Sequence, residues 1–241
     1  MKIVTWNLGH ISPGSHKQHI GKAYDYLFNE IDADYCLFQE GSFDDLGKYE
    51  SKVQFERISY RPNGITGVYS SKHKIKKIEA PPTLPGSFCA VDAGDFCLIS
   101  LYAIVEMLYK GDKAEIYYAG NLHKIFSDLT FILWNYHQNF KWHLVAGDFN
   151  TDIDYYGNTQ ADRADLQILE DRITQSYKLT NVNKLAQLKG GTYRTRQGNE
   201  YQLDYVYLAD TIIESYRKIT IIDNEQIRTY SDHKPVLLEL D

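Results

Sequence analysis

Leu144-Val145-Ala146-Gly147-Asp148-Phe149-Asn150 is an apolar run that stops at a turn bearing a carboxylate and an amide. It reads as a short buried strand that delivers two polar groups to its end. Five other runs share this design. Ile3-Val4-Thr5-Trp6 ends in Asn7, Tyr35-Cys36-Leu37-Phe38 ends in Gln39-Glu40, and Phe96-Cys97-Leu98-Ile99 runs up to Tyr102. Two late runs begin in the same manner: Asp204 opens Tyr205-Val206-Tyr207-Leu208, and Asp232-His233 opens Pro235-Val236-Leu237-Leu238. If the two late strands run antiparallel to the four early ones, every functional group lands on one edge of the core. That geometry predicts an active site.

The chain of 241 residues, 43% hydrophobic, can bury a substantial core as one domain over residues 1–241, although length alone would also allow two. Its net charge of -6 argues against holding nucleic acid by charge alone, since proteins that do so are usually basic. Phosphates would have to be bound locally, through a metal and a few arginines. The three cysteines, Cys36, Cys89 and Cys97, are odd in number, and two of them sit inside apolar runs. This fits reduced, buried thiols better than a disulfide framework. No stretch approaches the length of a membrane span and no signal peptide precedes the first strand, so a cytoplasmic protein is expected.

Strand-like and helix-like segments alternate, with strands at both termini, which favours one layered αβ domain. Ile20, Tyr24, Leu27 and Ile31 recur on one helical face, and a longer helical pattern runs from about Lys113 to Phe140. Helical stretches are also expected between about residues 160 and 188. Gly67-Val68-Tyr69-Ser70 and Ile75-Lys76-Lys77-Ile78 read as a hairpin.

Carboxylate and amide oxygens suit a hard cation such as magnesium, and Glu40, Asp232 and Asn7 supply them. Asp204 is placed to fix the tautomer of His233 and stabilise its charged form. Asp148 and Asn150, two apart on a turn, can both point into a site, one aligning a water and the other binding a phosphoryl oxygen. Metal-assisted attack of water on a phosphoester needs this set: a cation, a base, and donors for the developing charge. Each piece also has a bland reading: an Asx-turn at Asp148, a cap or turn at Asp232, a solvated strand end at Glu40. Asp204 resists one, because burying an unpaired carboxylate is costly.

Taken in order, Thr5-Trp6-Asn7, Gln39-Glu40, Tyr102, Gly147-Asp148-Phe149-Asn150, Leu203-Asp204-Tyr205-Val206 and Ser231-Asp232-His233 resemble the endonuclease/exonuclease/phosphatase superfamily. That group includes exonuclease III, the abasic-site endonucleases, pancreatic deoxyribonuclease, inositol polyphosphate 5-phosphatases and sphingomyelinases. The resemblance implies an α+β fold, a four-layer αββα sandwich of two mixed β-sheets packed face to face with helices outside. It also implies magnesium at the strand edge, with manganese as a substitute. Carried over by position, Glu40 is the main metal ligand, with Asn7 and Asp232 close to the ion. Asp148 or the Asp204-His233 pair activates water, and Asn150, His233 and Tyr102 stabilise the phosphoryl transition state. Where the family has Tyr-X-Pro-Asn, this chain reads Tyr102-Ala103-Ile104-Val105, so Tyr102 is placed by its position after a strand. His123, in Asn121-Leu122-His123-Lys124, is a second candidate acid by likeness to a Leu-His of pancreatic deoxyribonuclease; its bland reading is a helix-surface histidine.

Substrate class is carried by the loops. Thr192-Tyr193-Arg194-Thr195-Arg196 precedes the buried Asp204, much as a Tyr-Arg stretch does in exonuclease III-like enzymes. Arg194 and Arg196 are expected to clamp phosphates, and Tyr193 or Tyr201 to stack on a base or sugar. A solvated hairpin is the bland alternative, and the basic run at Lys72–Lys77 reads as a polar outer strand. The expected function is therefore a magnesium-dependent phosphodiester hydrolase, a nuclease acting on DNA or RNA. A phosphodiesterase or phosphatase for a small soluble phosphoester and an inactive binding module on the same scaffold are the alternatives. No protein partner is expected.

Overall fold

The computed structural model describes residues 1–9, 19–61, 63–80, 82–110, 113–135, 140, 142–152 and 160–241. In chain order its first strands are β1 (Lys2–Asn7), β2 (Tyr35–Ser42), β3 (Val53–Arg57), β4 (Gly64–Tyr69), β5 (Lys76–Lys77), β6 (Phe88–Asp92), β7 (Phe96–Tyr102) and β8 (Glu106–Lys110). They continue as β9 (Lys113–Tyr117), β10 (Trp142–Asp148), β11 (Leu179–Asn181), β12 (Tyr193–Arg194), β13 (Glu200–Tyr201), β14 (Asp204–Ala209), β15 (Tyr216–Ile221) and β16 (Val236–Leu240). The α-helices are α1 (Ile20–Asp25), α2 (Tyr118–Asn135), α3 (Gln160–Asp171), α4 (Val182–Leu185) and α5 (Glu225–Tyr230); α1 and α3 each run on into a π-helical turn.

Two six-stranded sheets carry the architecture, ordered β15-β16-β1-β2-β4-β3 and β11-β14-β10-β7-β6-β5. Both are mixed. β1 runs parallel to β2 and β7 parallel to β10, while β16 is antiparallel to β1 and β14 antiparallel to β10. The period-2 alternation of each strand divides its side chains between two cores. Ile3, Leu37, Val236 and Leu238 of the first sheet meet Leu98, Leu144, Ala146 and Val206 of the second. The opposite phase faces helices. Val4, Trp6, Cys36 and Phe38 pack under α1 and its π-turn, with Ile227 of α5. Ile99, Leu101, Val145 and Tyr207 pack under α2 and α3. The result is an αββα sandwich with the strand ends Asn7, Tyr102 and Asp148 and the strand start Asp204 on one edge. Asp148 pairs with Asp204 and with Tyr102 in register.

All three cysteines are free and buried, and burial pushes the Cys89 thiol up to about 12. Two sequence readings are corrected. Gly67–Ser70 and Ile75–Ile78 do not form a hairpin: β4 pairs with β2 and β3, whereas β5 is the edge of the other sheet beside β6. Neighbours in sequence need not pair when each has an apolar face to give to a different sheet. The helical pattern from Lys113 also starts too early, because Lys113–Tyr117 is a strand paired to β8 and the helix begins at Tyr118. Cross-strand pairing there overrides the helix preference of Lys, Ala and Glu.

Candidate active site

Asp148 is the junction of the site. It closes β10 on the inward phase set by Leu144 and Ala146, and it is fully buried. Gly147 before it has φ 150, and a Cβ there would lie 1.9 Å from the carbonyl oxygen of Leu101 and 2.9 Å from Gln39 Nε2. Only glycine fits that close approach. Asn150 follows in a left-handed conformation, φ 48. Its backbone N–H donates to Asp148 Oδ1 at 2.8 Å, and its Nδ2 donates to Asp148 Oδ2 at 3.1 Å and to Ala103 O at 2.9 Å. The turn is thus an Asx-turn and a site element at once. Across the sandwich, Asn7 Nδ2 donates to Asp148 Oδ2 at 2.7 Å and to Glu40 Oε1 at 3.1 Å. Asn7 therefore meets both carboxylates through its nitrogen, while its Oδ1 accepts the Gly9 N–H at 2.9 Å.

Glu40 arrives against the strand pattern. Phe38 faces the helices and Gln39 faces the opposite sheet, so strict alternation would send Glu40 back under the helices. A bulge prevents this: from Phe38 to Gly41 on β2 the partner β4 advances only from Gly67 to Ile65. Glu40 itself is left-handed, φ 50, which costs a non-glycine residue about 1–2 kcal/mol. The strain turns its carboxylate toward Asn7 and Tyr102, whose hydroxyl also hydrogen-bonds it. Tyr102 is buried and its hydroxyl in turn faces that of Tyr60, a residue no sequence motif singled out.

His233 and Asp204 form a buried pair, with Nδ1 2.8 Å from Asp204 Oδ2. Their supports are specific. Trp6 Nε1 donates to His233 O at 2.9 Å, and the His233 N–H donates to Ser231 Oγ at 3.0 Å, which itself donates to Asn7 O at 2.7 Å. Thr192 Oγ1 accepts the N–H groups of Leu203 and Asp204. The β12–β13 hairpin is sewn to the same segment, because Arg194 N donates to Asp232 O at 2.8 Å and Lys234 N to Thr192 O at 2.7 Å. The Tyr193 ring sits 5.0 Å from the His233 ring, while the Arg194 and Arg196 side chains are exposed. Tyr201 pairs with Tyr193 on the hairpin. The structure does not join His123 to this cluster. It lies half-exposed within α2, and its carbonyl takes a helical Ser127 bond.

No protein-family model and no curated protein sequence matches this chain. Solved structures do match. The 3'-5' exonuclease NExo from Neisseria meningitidis aligns at TM-score 0.71 and 16% identity, covering 100% of both chains. A 3' phosphatase form of NExo from Neisseria, bound to product DNA hairpin, gives 0.69 and 16%, covering 100% of this chain and 99% of that one. The AP endonuclease LMAP from Leishmania major gives 0.69 and 12%, covering 99% of this chain and 87% of that one. The chain shares the fold of these enzymes.

On this fold the electrostatics of the edge fit a cation. Four carboxylates, Glu40, Asp148, Asp204 and Asp232, converge with His233 as the charged partner at their centre. Burial raises the carboxyl of Glu40, and burial together with Asp204 and Glu40 pushes Asp148 up to about 8 although His233 opposes it. Burial works against a charged imidazole, but Asp204, Asp148 and Asp232 outweigh it and lift His233 to about 10. Among the described residues Asp204 Oδ1 and Asp232 Oδ1 are buried without a hydrogen-bond partner. Gly9, φ 66, leaves open the space beside Asp232 Oδ1 that a Cβ would fill at 3.0 Å. By distance alone Asp148, Asp204 and His233 could hold an ion, their ligand atoms lying within 4.8 Å of one another. The His233–Asp204 hydrogen bond already uses that pair, so the hard oxygens of Glu40 and Asp232 are the better donors.

Proposed function

We propose that this protein is a magnesium-dependent phosphodiester hydrolase, a nuclease acting through residues 1–241 as one domain. One observation carries the reading. Asn7, Glu40, Asp148, Asp204 and His233, from both sheets and spread over 227 residues of chain, meet in one hydrogen-bonded cluster rich in buried carboxylates. Glu40 and Asp232 would hold the ion, with Asn7 fixing Glu40. Magnesium, or manganese in its place, would supply Lewis-acid polarisation of a phosphoryl oxygen and offset the buried negative charge.

The remaining roles belong to the chain. Asp204 holds His233 protonated and in one tautomer, leaving Nε2 to donate to the developing charge on the phosphoryl group. A histidine held in its charged form is a poor base, so Asp148 takes the proton of the attacking water. Asn150 and Asn7 fix the Asp148 carboxylate through the bonds given above, and Tyr102 orients Glu40 and donates at the phosphoryl transition state. Arg194 and Arg196 contact phosphates on either side, and Tyr193 and Tyr201 line the approach. The names of the three structural neighbours, an exonuclease, a phosphatase with a DNA product and an AP endonuclease, support nucleic acid, DNA first, as the substrate class. Buried reduced thiols support the cytoplasm as its location. Among the described residues no helix is long and apolar enough to cross a membrane.

The reading is tested by hydrolysis of plasmid DNA and single-stranded oligonucleotides with magnesium or chelator, beside a panel of nucleotides and inositol phosphates. Activity confined to the small molecules would overturn it. Glu40→Ala is expected to lower hydrolysis by at least about 10²–10³-fold and to abolish the metal-induced rise in melting temperature. A fully active variant would remove Glu40 from the metal site.

A further inference from the structure

We propose that Tyr60 is a substrate-contacting residue that stacks on the nucleobase beside the cleaved phosphate, an inference that rests on the nuclease reading above. Tyr60 lies between β3 and β4, where the described residues are hydrogen-bonded to one another. Ile58 N donates to Gly64 O at 2.8 Å, Arg61 N to Ile58 O at 3.0 Å, and Gly64 N to Arg61 O at 2.9 Å. Ile58 is buried with Tyr102 and Ile104, and it approaches Gly86, φ 86, so closely that a Cβ there would lie 2.5 Å from its Cα. These contacts set the place of Tyr60 relative to Tyr102.

From that place the side chain bridges two environments. Through Ile58 the turn packs against Tyr102, and the Tyr60 hydroxyl faces that of Tyr102 beside Glu40, so its tip is turned toward the centre of the site. The residue is nonetheless 48% exposed. Phe131, Trp134, Ile168 and Leu185 are also exposed, but none is linked to the catalytic edge among the described residues. The Arg61 guanidinium stands 5.8 Å from the Tyr60 ring centroid and puts a positive charge beside it. An aromatic side chain turned toward the site at its polar tip and still half-exposed, next to a cation, is the arrangement that binds a base and its phosphate.

The experiment compares Tyr60→Ala, Tyr60→Phe and Tyr60→Trp on two single-stranded oligonucleotides, one normal and one with a baseless tetrahydrofuran residue beside the cleaved bond. Tyr60→Ala is expected to raise KM on the normal oligonucleotide by about fivefold to a hundredfold and to leave KM on the baseless one within about twofold. Phe and Trp keep a ring, so both are expected to stay within about threefold of the parent KM. An equal KM rise on both oligonucleotides, an unchanged KM for Tyr60→Ala, or a Phe variant as impaired as Ala would each overturn the stacking role. Failure of the parent protein to cut either oligonucleotide would instead count against the nuclease reading. Melting temperatures of the three variants check that the turn stays folded.

Discussion

Gln39 and Glu40 are adjacent, both buried and both polar, yet they belong to two regions with opposite economies. Gln39 points between the sheets in phase with Leu37, where Nε2 donates to Thr5 Oγ1 at 3.2 Å and to Ser100 Oγ at 2.9 Å. Ser100 Oγ passes a bond on to Phe38 O at 3.1 Å. Every member of this bridge is neutral. One residue later the chain bulges, φ turns positive, and the carboxylate of Glu40 enters a cluster whose members raise one another's affinity for protons. The bridge joins two sheets through the amide nitrogen and Ser100, and leaves Gln39 Oε1 without a hydrogen-bond partner. The edge holds its carboxylates close together, with Asp204 Oδ1 and Asp232 Oδ1 unsatisfied, where a ligand can complete them. A neutral group left incomplete, as Gln39 Oε1 is, costs stability alone, whereas carboxylates left incomplete side by side mark where a cation can bind.

The sharpest way to break this comparison is Asp204→Asn. The amide keeps an oxygen for His233 Nδ1–H and removes a buried charge, so the melting temperature without metal should move little. Turnover should fall by about 10³–10⁴-fold, because the imidazole loses the partner that holds its charged form. Turnover and melting are to be measured on one preparation. A variant that melts well below the parent but keeps its turnover would make Asp204 a bridge residue rather than an edge residue.

The course of the strands was legible because runs such as Leu144–Gly147 and Tyr205–Leu208 carry both a burial signal and a polar end. Antiparallel late strands then follow from putting those ends on one edge, and the structure has them so. The phase of Glu40 was not legible. Glutamate has no special liking for a left-handed conformation, and a bulge depends on how many residues the partner strand offers, which residue types do not record. Tyr60 was missed for a related reason: its link to Tyr102 joins a turn to a strand end 42 residues away, with no spacing to announce it. The order of β4 and β5 failed because sheet membership is decided by the whole sandwich. Nothing in the run Leu144–Gly147 announces that its glycine is required by the carbonyl oxygen of Leu101 on the neighbouring strand.

Gln39→Ala tests the bridge from the other side. It deletes one hydrogen bond between the sheets and one to Thr5 on the neighbouring strand β1, and opens space beside them, which should cost about 2–3 kcal/mol of unfolding free energy. Turnover measured well below the transition should stay within about tenfold of the parent, since the bulge and the bonds of Glu40 to Asn7 and Tyr102 do not involve the amide. Denaturant midpoints and steady-state rates decide it. A loss of turnover as deep as that of Asp204→Asn, at unchanged stability, would erase the boundary between the two regions.

The smallest effect comes from a carboxylate outside both regions, and its sign is what informs. Hydrogen bonds from Arg228, at 2.8 and 3.0 Å, with Lys234 3.1 Å away, bring Asp223 down to about 2. Burial drives Asp148 the opposite way, up to about 8. Because Asp223 is depressed below its unfolded value, its ion pairs contribute stability that is present above about pH 4 and is lost as the pH falls toward 2. Solvent reaches the group, so the contribution at neutral pH should be no more than about 1 kcal/mol and should shrink in high salt. Asp223→Asn should therefore lie slightly below the parent in stability at pH 7, and the two curves should converge on acidification. A gap that stayed constant down to pH 2, or widened, would show that Asp223 acts through packing rather than charge, and pairing would no longer distinguish it from the carboxylates of the edge.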